Sequence, residues 1–359
     1  MSEIGDDDQN AATSTHTWTR HVTRTFEELG LMSVYSAPLD TKLLVLQRYI
    51  RLYAYGGSTL ILVAYLAELG NSDRRIGTFM TLTLAGDVCI SFILTLYADR
   101  WGRKVILMLG ALLMVASGVV FALSDNFFVL LLAAILGVIS PSGNEIGPFR
   151  AIEESTLAQL THTAVRSDIY AWYSLIGNAG SASGMITCGW VIHRLRSTGW
   201  GIIPAYRAVF YAYAVAGFFK FILACSLSSK VELERKSSVE PDAESAPLLA
   251  RPDGPERPRK PSSWKKLLPT ISKESKTIVV QLCALFALDA FASGLASLSW
   301  VTYFFKWKFN LDEGKLGTLF SVASIISAAS VLVASSISKR LGNVKTMVLH
   351  TFHLPSPYR

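Results

Sequence analysis

Ala98-Asp99-Arg100-Trp101-Gly102-Arg103-Lys104-Val105 stands between two apolar runs, residues 76–97 and 105–123, and the chain is best read outward from this junction. Each run approaches the roughly 20 residues that a helix needs to cross the hydrocarbon core of a bilayer. The junction is too short for a folded loop, so it must reverse the chain tightly, which Gly102 permits. Its cations, Arg100, Arg103 and Lys104, hold the turn on one side of a membrane. Asp99, at a helix end among them, is placed to pair with Arg103 or with a neighbouring helix N-terminus.

Six more apolar runs flank this pair, at residues 43–69, 127–149, 170–191, 206–227, 278–305 and 316–337, which makes eight expected spans. The composition agrees. Of 359 residues, 51% are hydrophobic and only 17% charged, against about 25% charged in soluble domains. Mean hydropathy is +0.36. An ordinary soluble enzyme and a disordered protein are both excluded. The net charge of +7 does not point to nucleic acid, because the bases lie between apolar runs and read as topogenic charges. Cys89, Cys188, Cys225 and Cys283 fall inside apolar runs without metal-ligand spacing and read as small apolar fillers. The six histidines show no ligand spacing either. No cofactor is expected: there is no strand to precede a phosphate-binding Gly-rich loop, so an ATP-driven pump is unsupported.

The fold class is therefore all-α integral membrane. Residues 1–41 form a polar N-terminal tail, 42–227 a six-helix bundle, 228–277 a linker rich in Pro, Ser and charge, and 278–359 two further helices of an incomplete second bundle. The linker composition cannot bury a core. The acidic start of the chain is no cleavable signal peptide, which leaves the first span as the targeting signal. With a cytoplasmic N-terminus, Arg100, Arg103, Lys104, Arg150, Arg166, Lys339, Arg340, Lys345 and the basic linker all fall on the inner side. Arg74, Arg75, Arg194, Arg196, Arg207, Lys306, Lys308 and Lys315 then lie outside, so the bias favours N-in. In the linker, Glu244-Ser245-Ala246-Pro247-Leu248-Leu249 matches an acidic dileucine sorting pattern, which leaves the plasma membrane and a vacuolar or lysosomal membrane as alternatives.

An internal repeat is visible. Arg100 and Gly102 recur as Arg340 and Gly342, Gly77-Thr78 recurs as Gly317-Thr318, and Leu52-x-Ala54-Tyr55 resembles Leu288-x-Ala290-Phe291 at a slightly different offset. Such repeats underlie two-halved transporters, which bind their solutes near the midplane.

Six spans, a long linker and the Asp99-Arg100-Trp101-Gly102-Arg103-Lys104 turn between spans two and three resemble the major facilitator superfamily (MFS) over most of the chain. Thr95 stands where the family often has Gly, and the fourth span lacks the intramembrane Arg of the family's second motif. The resemblance implies a secondary transporter rather than an enzyme, moving a small solute by alternating access. It assigns Asp99, Arg100, Gly102, Arg103 and Lys104 to a gating latch between the halves, with a plain topology anchor as the alternative. It also implies twelve spans where eight are found. The alternative function is thus a truncated, non-transporting membrane protein, regulatory or non-functional.

Ionisable residues at bilayer depth are expensive and are functional candidates. Asp87 precedes Asp99 by twelve residues, about 18 Å of helix, and Asp289 lies at similar depth in the seventh span. Arg51 in the first span is a candidate partner for Asp87. At the end of the fourth span, Ser140-Pro141-Ser142-Gly143-Asn144-Glu145-Ile146-Gly147-Pro148 cannot hold a regular helix. Unwound backbone at that depth must be buried or line a watery cavity, which nominates Asn144 and Glu145. Arg51, Asp87, Asn144, Glu145 and Asp289 thus form the expected solute or proton site. One Arg cannot neutralise three acids, which leaves a carboxyl group for proton coupling. Lys220 is expected to snorkel to the membrane surface. Gly177, Gly180, Gly184 and Gly189 form a small-residue face suited to close helix packing. The expected partners are the lipid bilayer, a small solute and protons.

Overall fold

The structure is a computed structural model that describes residues 30–137, 139, 148–232, 273–342 and 345. These form eleven α-helices and one 3-10 turn, with no strand among the described residues. They are α1 Leu31–Tyr35, α2 Leu39–Glu68, α3 Asp73–Trp101, α4 Arg103–Leu123, α5 Phe127–Gly137, α6 Pro148–Leu160, α7 Thr163–Ser197, α8 Ile202–Cys225, α9 Lys273–Leu295, α10 Leu298–Phe309 and α11 Glu313–Leu341. By length and composition, α2, the Asp73–Leu94 part of α3, α4 and α8 can cross a membrane, and α5 is a shorter apolar helix. The expected fifth and eighth spans lie within α7 and α11, which run well past their apolar centres.

Two expected spans depart from simple rods. The seventh, read as one run over 278–305, is two helices separated at Ala296–Ser297. Ser297 has the extended backbone of a helix N-cap residue (φ −65°, ψ 142°), and the N–H groups of Trp300 and Val301 donate to its carbonyl. Hydropathy does not register such a break, because a change of backbone conformation at one residue need not interrupt the apolar run. The fourth span is described as α5 up to Gly137, and the next described helix, α6, has Pro148 as its first residue. Proline is favoured at that position because the first-turn N–H has no helical partner to lose. Asn144 and Glu145 lie outside the described residues, as do the side chains of Asp99, Arg100 and Asp289.

The chain divides into two compact units, Met1–Val231 with Ser297–Arg359, and Glu232–Ala296. The smaller unit contains α9. In the larger one, close backbone approach at glycines sets the packing. A Cβ on Gly180 would lie 2.6 Å from the Tyr49 carbonyl oxygen, and one on Gly184 would lie 2.0 Å from that of Tyr53. The small-residue face is thus where α2 and α7 run side by side and parallel. Gly118 meets Ala214 and Gly217 meets Val115, an antiparallel register joining α4 to α8. A Cβ on Gly189 would lie 2.2 Å from the carbonyl of Glu313, and one on Gly317 would lie 2.4 Å from that of Met185, so α7 packs antiparallel on α11. Small residues let helices approach closely where lipid supplies no hydrophobic drive for association.

The internal repeat has a structural counterpart. Helices α3 and α11 each contain 29 residues, and they start at 73 and 313 and end at 101 and 341, a spacing of 240 positions. Gly102 and Gly342 follow them at φ +92° and +86°. Gly70 and Asn310, also 240 apart, precede them at φ +80° and +47°. The turns at both ends therefore need a residue tolerant of the left-handed region, which is why Gly and Asn occupy them.

Along the larger unit, two apolar clusters lie at different levels. One includes Leu44, Leu107, Phe149 and Tyr173, and the other Tyr65, Phe79, Phe121 and Phe210. In the second, the Tyr65 hydroxyl donates to the Phe121 carbonyl at 2.8 Å, and the Tyr65 and Phe210 rings lie 5.1 Å apart. The segment of α2 between Val45 and Leu52 joins the two clusters, and it carries Gln47, Arg48 and Arg51.

Candidate functional site

Helical spacing puts Gln47 and Arg51 on one face of α2, four residues apart. Arg51 Nη2 donates to Glu153 Oε2 on α6 at 2.6 Å. The Tyr173 hydroxyl of α7 donates to the same oxygen at 2.6 Å. Lys220 Nζ of α8 lies 3.6 Å from Glu153 Oε1, and 5.4 Å from the Phe149 ring centre. The Arg48 guanidinium stacks on the Tyr173 ring at 4.0 Å and adds its charge to the field at Glu153. Gly177 makes room for this arginine, since a Cβ there would lie 2.5 Å from Arg48 Nε. Four helices thus converge on one carboxylate. Glu153 is 0% exposed and Lys220 1%, and Arg48 and Arg51 are buried.

Arg51 is therefore where the sequence suggested, inside the bundle, but its described carboxylate partner is Glu153 rather than Asp87. Asp87 is 4% exposed on α3, and it accepts from the Ser91 hydroxyl at 3.5 Å, one helical turn on. Lys220 does not snorkel. Its ammonium turns inward because a buried carboxylate and an aromatic face await it there, which the position of Lys220 along its own helix cannot reveal. Glu153, Arg48 and Tyr173 escaped the reading altogether. A signal for Glu153 did exist: Arg150 pairs with Glu154 at 2.7 Å on the exposed side of α6, so its neighbour Glu153 faces elsewhere.

At the basic turn, Arg103 Nη1 donates to Gln159 Oε1 of α6 at 2.9 Å, and Lys104 Nζ donates to the Leu227 carbonyl at 2.5 Å. Gln159 Nε2 in turn reaches the Lys230 carbonyl at 3.5 Å. Nearby, Asp40 accepts from the Ser228 backbone N–H at 2.9 Å and from its hydroxyl at 2.5 Å. These contacts all lie within the first six spans and the turn that follows them.

A second polar cluster closes the opposite end of the bundle, where α7 ends and α8 and α11 begin. Glu313 Oε1, on a residue 3% exposed, accepts from the Tyr206 hydroxyl and from Lys306 Nζ, each at 2.8 Å. Lys306 also donates to the Tyr206 hydroxyl at 2.6 Å, and Arg196 Nη1 lies 4.0 Å from Glu313 Oε2. Trp190 Nε1 donates to Thr318 Oγ1 at 3.0 Å. Helices of the first repeat (α7 and α8) are thereby joined to helices of the second (α10 and α11).

Long apolar helices in two repeats, with buried charge in their midst, define a multi-pass membrane transporter scaffold. The Major Facilitator Superfamily profile matches residues 50–354, and the chain belongs to that family. It is 37% identical over 326 residues to an uncharacterized membrane protein of Saccharomyces cerevisiae, covering 87% of this chain and 71% of the yeast protein. Two Mycobacterium tuberculosis proteins described as uncharacterized MFS-type transporters, from strains CDC 1551 and H37Rv, are each 27% identical over 170 residues. Those matches cover 45% of this chain and 37% of each relative. The chain is thus an integral, multi-pass membrane protein of a transporter family.

Proposed function

We propose that the chain carries a small solute across the membrane by alternating access, with its N-terminus and linker on the cytoplasmic side. The observation that supports this most is the Glu313–Lys306–Tyr206 cluster. It ties helices of the two repeats together where α7 ends and α8 and α11 begin, which under N-in is the outer end. The bias of Lys and Arg toward the inner loops and linker supports the orientation. Carboxyl groups at depth, Asp87 among the described side chains, support proton coupling as the driving process, and Glu145 and Asp289 are further candidates by sequence.

The test uses a reporter at the seal. Met185 is buried at the face that meets Gly317. With the four native cysteines replaced by serine, Met185→Cys reports access from outside to a membrane-impermeant maleimide. Glu313→Gln weakens the seal and is expected to raise labelling several-fold, while a disulfide between Trp190→Cys and Thr318→Cys suppresses it. Labelling that ignores both changes rejects an opening at this interface. Linker sites labelled from outside intact cells reject the orientation.

A further inference from the structure

Between α7 and α8, over the middle of α2, lies a cavity of about 430 Å³, its open mouth included. That volume is within the range of small-molecule sites, about 300–1,000 Å³. Gly57 and Gly184 give it room, and Cys188, Val191, Ala208 and Ala212 supply apolar wall. Among the described residues, no Asp, Glu, Lys, Arg or His stands in its lining. The polar groups there are hydroxyls and one thiol, and the Cys188 thiol is already used, donating to the Gly57 carbonyl at 3.3 Å. Thr187 Oγ1 donates to the Tyr53 hydroxyl at 2.8 Å, which leaves the phenol proton of Tyr53 to give. Tyr213 lines the cavity and is 2% exposed, yet its hydroxyl has no hydrogen-bond partner among the described residues. Buried polar groups almost always have partners. Arg51, whose field reaches Tyr213, is engaged by Glu153 at 2.6 Å and is not part of the wall.

The mouth opens on the side turned away from α11. On α7, Met185 and Gly189 meet α11. Thr187 and Val191, each two residues from Gly189, lie about 200° around the helix from it, and both are exposed. On α8, Ala208 and Ala212 continue a stripe through Val215, Phe219 and Ile222, at the alternating steps of four and three that keep to one helical face. Val215, Phe219 and Ile222 are exposed. An exposed apolar stripe on a spanning helix lies against lipid, because water solvates it poorly. The cavity is therefore entered from the bilayer side.

We infer that this cavity receives an uncharged, largely apolar solute carrying a carbonyl- or ether-type oxygen, which enters from the bilayer and accepts from the Tyr53 and Tyr213 hydroxyls. The inference names a substrate class and to that extent rests on the transport reading. A charged solute would bury its charge against a wall that holds no counter-ion, at heavy cost. A solute without an oxygen acceptor would leave the Tyr213 hydroxyl buried and unpaired. A molecule of the inferred kind dissolves among lipid tails, so a mouth on the lipid side is where it arrives.

The probe is benzophenone, an uncharged diaryl ketone that also crosslinks to neighbouring C–H bonds under ultraviolet light. Diphenylmethane, the same skeleton without the oxygen, and 4-benzoylbenzoate, the same ketone with a charge, are the comparisons. One readout is thermal unfolding of the full chain in uncharged detergent, since binding to the folded state raises the melting temperature. The other is mass spectrometry of the crosslinked peptides. The expected result is a saturable rise with benzophenone, a weaker one with diphenylmethane and none with 4-benzoylbenzoate, with crosslinks within 53–57, 184–191 and 208–213. Tyr53→Phe and Tyr213→Phe are each expected to weaken apparent affinity by about threefold or more. Neither should lower the melting temperature of the ligand-free protein. Thr187 keeps the Ser183 carbonyl at 2.7 Å as its acceptor, and Tyr213→Phe removes a hydroxyl that bonds nothing among the described residues. Ala212→Trp, on the exposed stripe, fills the mouth and is expected to abolish both readouts. The inference is overturned if benzophenone does not bind saturably or crosslinks elsewhere, if diphenylmethane or 4-benzoylbenzoate binds as well, or if affinity is unchanged in the three variants. Its failure is separable from that of the transport reading. Met185→Cys labelling that responds to Glu313→Gln without benzophenone binding removes the cavity's role alone, whereas benzophenone binding with unresponsive labelling removes the opening at the outer seal alone.

Discussion

Glu153→Leu is the most informative single change to the stability of the bundle. It removes the acceptor of the 2.6 Å bonds from Arg51 and Tyr173 and the counter-charge 3.6 Å from Lys220. Removing one partner of a buried ion pair typically destabilises by about 3–5 kcal/mol, because the remaining charge stays desolvated without its partner. At about 2 °C per kcal/mol for a chain of this size, the melting temperature should fall by roughly 6–10 °C. The control is the double variant Glu153→Leu with Arg51→Met. Replacing both partners by apolar groups is often neutral, so the double variant should recover part of the loss, leaving Lys220 and Arg48 as the residue of the penalty. In a double-mutant cycle read by thermal unfolding of the purified protein, the coupling between positions 51 and 153 is expected to exceed about 1 kcal/mol. Additive effects, with coupling near zero, would refute the claim that the two charges support each other. A wild-type melting temperature for Glu153→Leu alone would refute the claim that this carboxylate organises the cluster.

Other changes test the packing. Gly184→Ala places a methyl group 2.0 Å from the Tyr53 carbonyl oxygen, so α2 and α7 must separate. A loss of about 1–3 kcal/mol, seen as a lower melting temperature, is expected. Gly102→Ala forces a side chain into φ +92° at a cost of about 1–2 kcal/mol, whereas Gly77→Ala, where a Cβ meets nothing within 4 Å, should be tolerated. Tyr65→Phe deletes the buried bond to the Phe121 carbonyl, for a loss of about 1–2 kcal/mol. Lys306→Met removes the cation that holds Glu313 and should raise outside labelling of Met185→Cys in the same direction as Glu313→Gln.

Much of the architecture is legible in the sequence because it is governed by local rules. Apolar length specifies membrane-crossing helices, and the repeated Gly–Thr and Arg–x–Gly signatures mark equivalent ends of α3 and α11. The glycines at 180, 184 and 189 announce a close contact before its partner is known. The buried charge cluster was only half legible. Arg51 stands out because it interrupts an apolar run, but Glu153 follows Arg150 and sits beside Glu154, where it reads as one more polar residue at a helix end. Lys220 lies far enough from the middle of its span for a long flexible stem to reach water.

By itself, the sequence determined that the chain is a bundle of membrane helices in two related parts, because burial of twenty apolar residues at a time leaves the backbone no alternative to the helix in lipid. It also marked the turn at Gly102, where the backbone at φ +92° favours a residue without a Cβ. Tertiary structure alone decided which charges meet. Arg51 and Glu153 are 102 positions apart, and Tyr206 and Glu313 are 107 apart. No periodicity links such pairs, because an ion pair depends on the distance and angle between two helices, and those are set by side chains packed elsewhere along them.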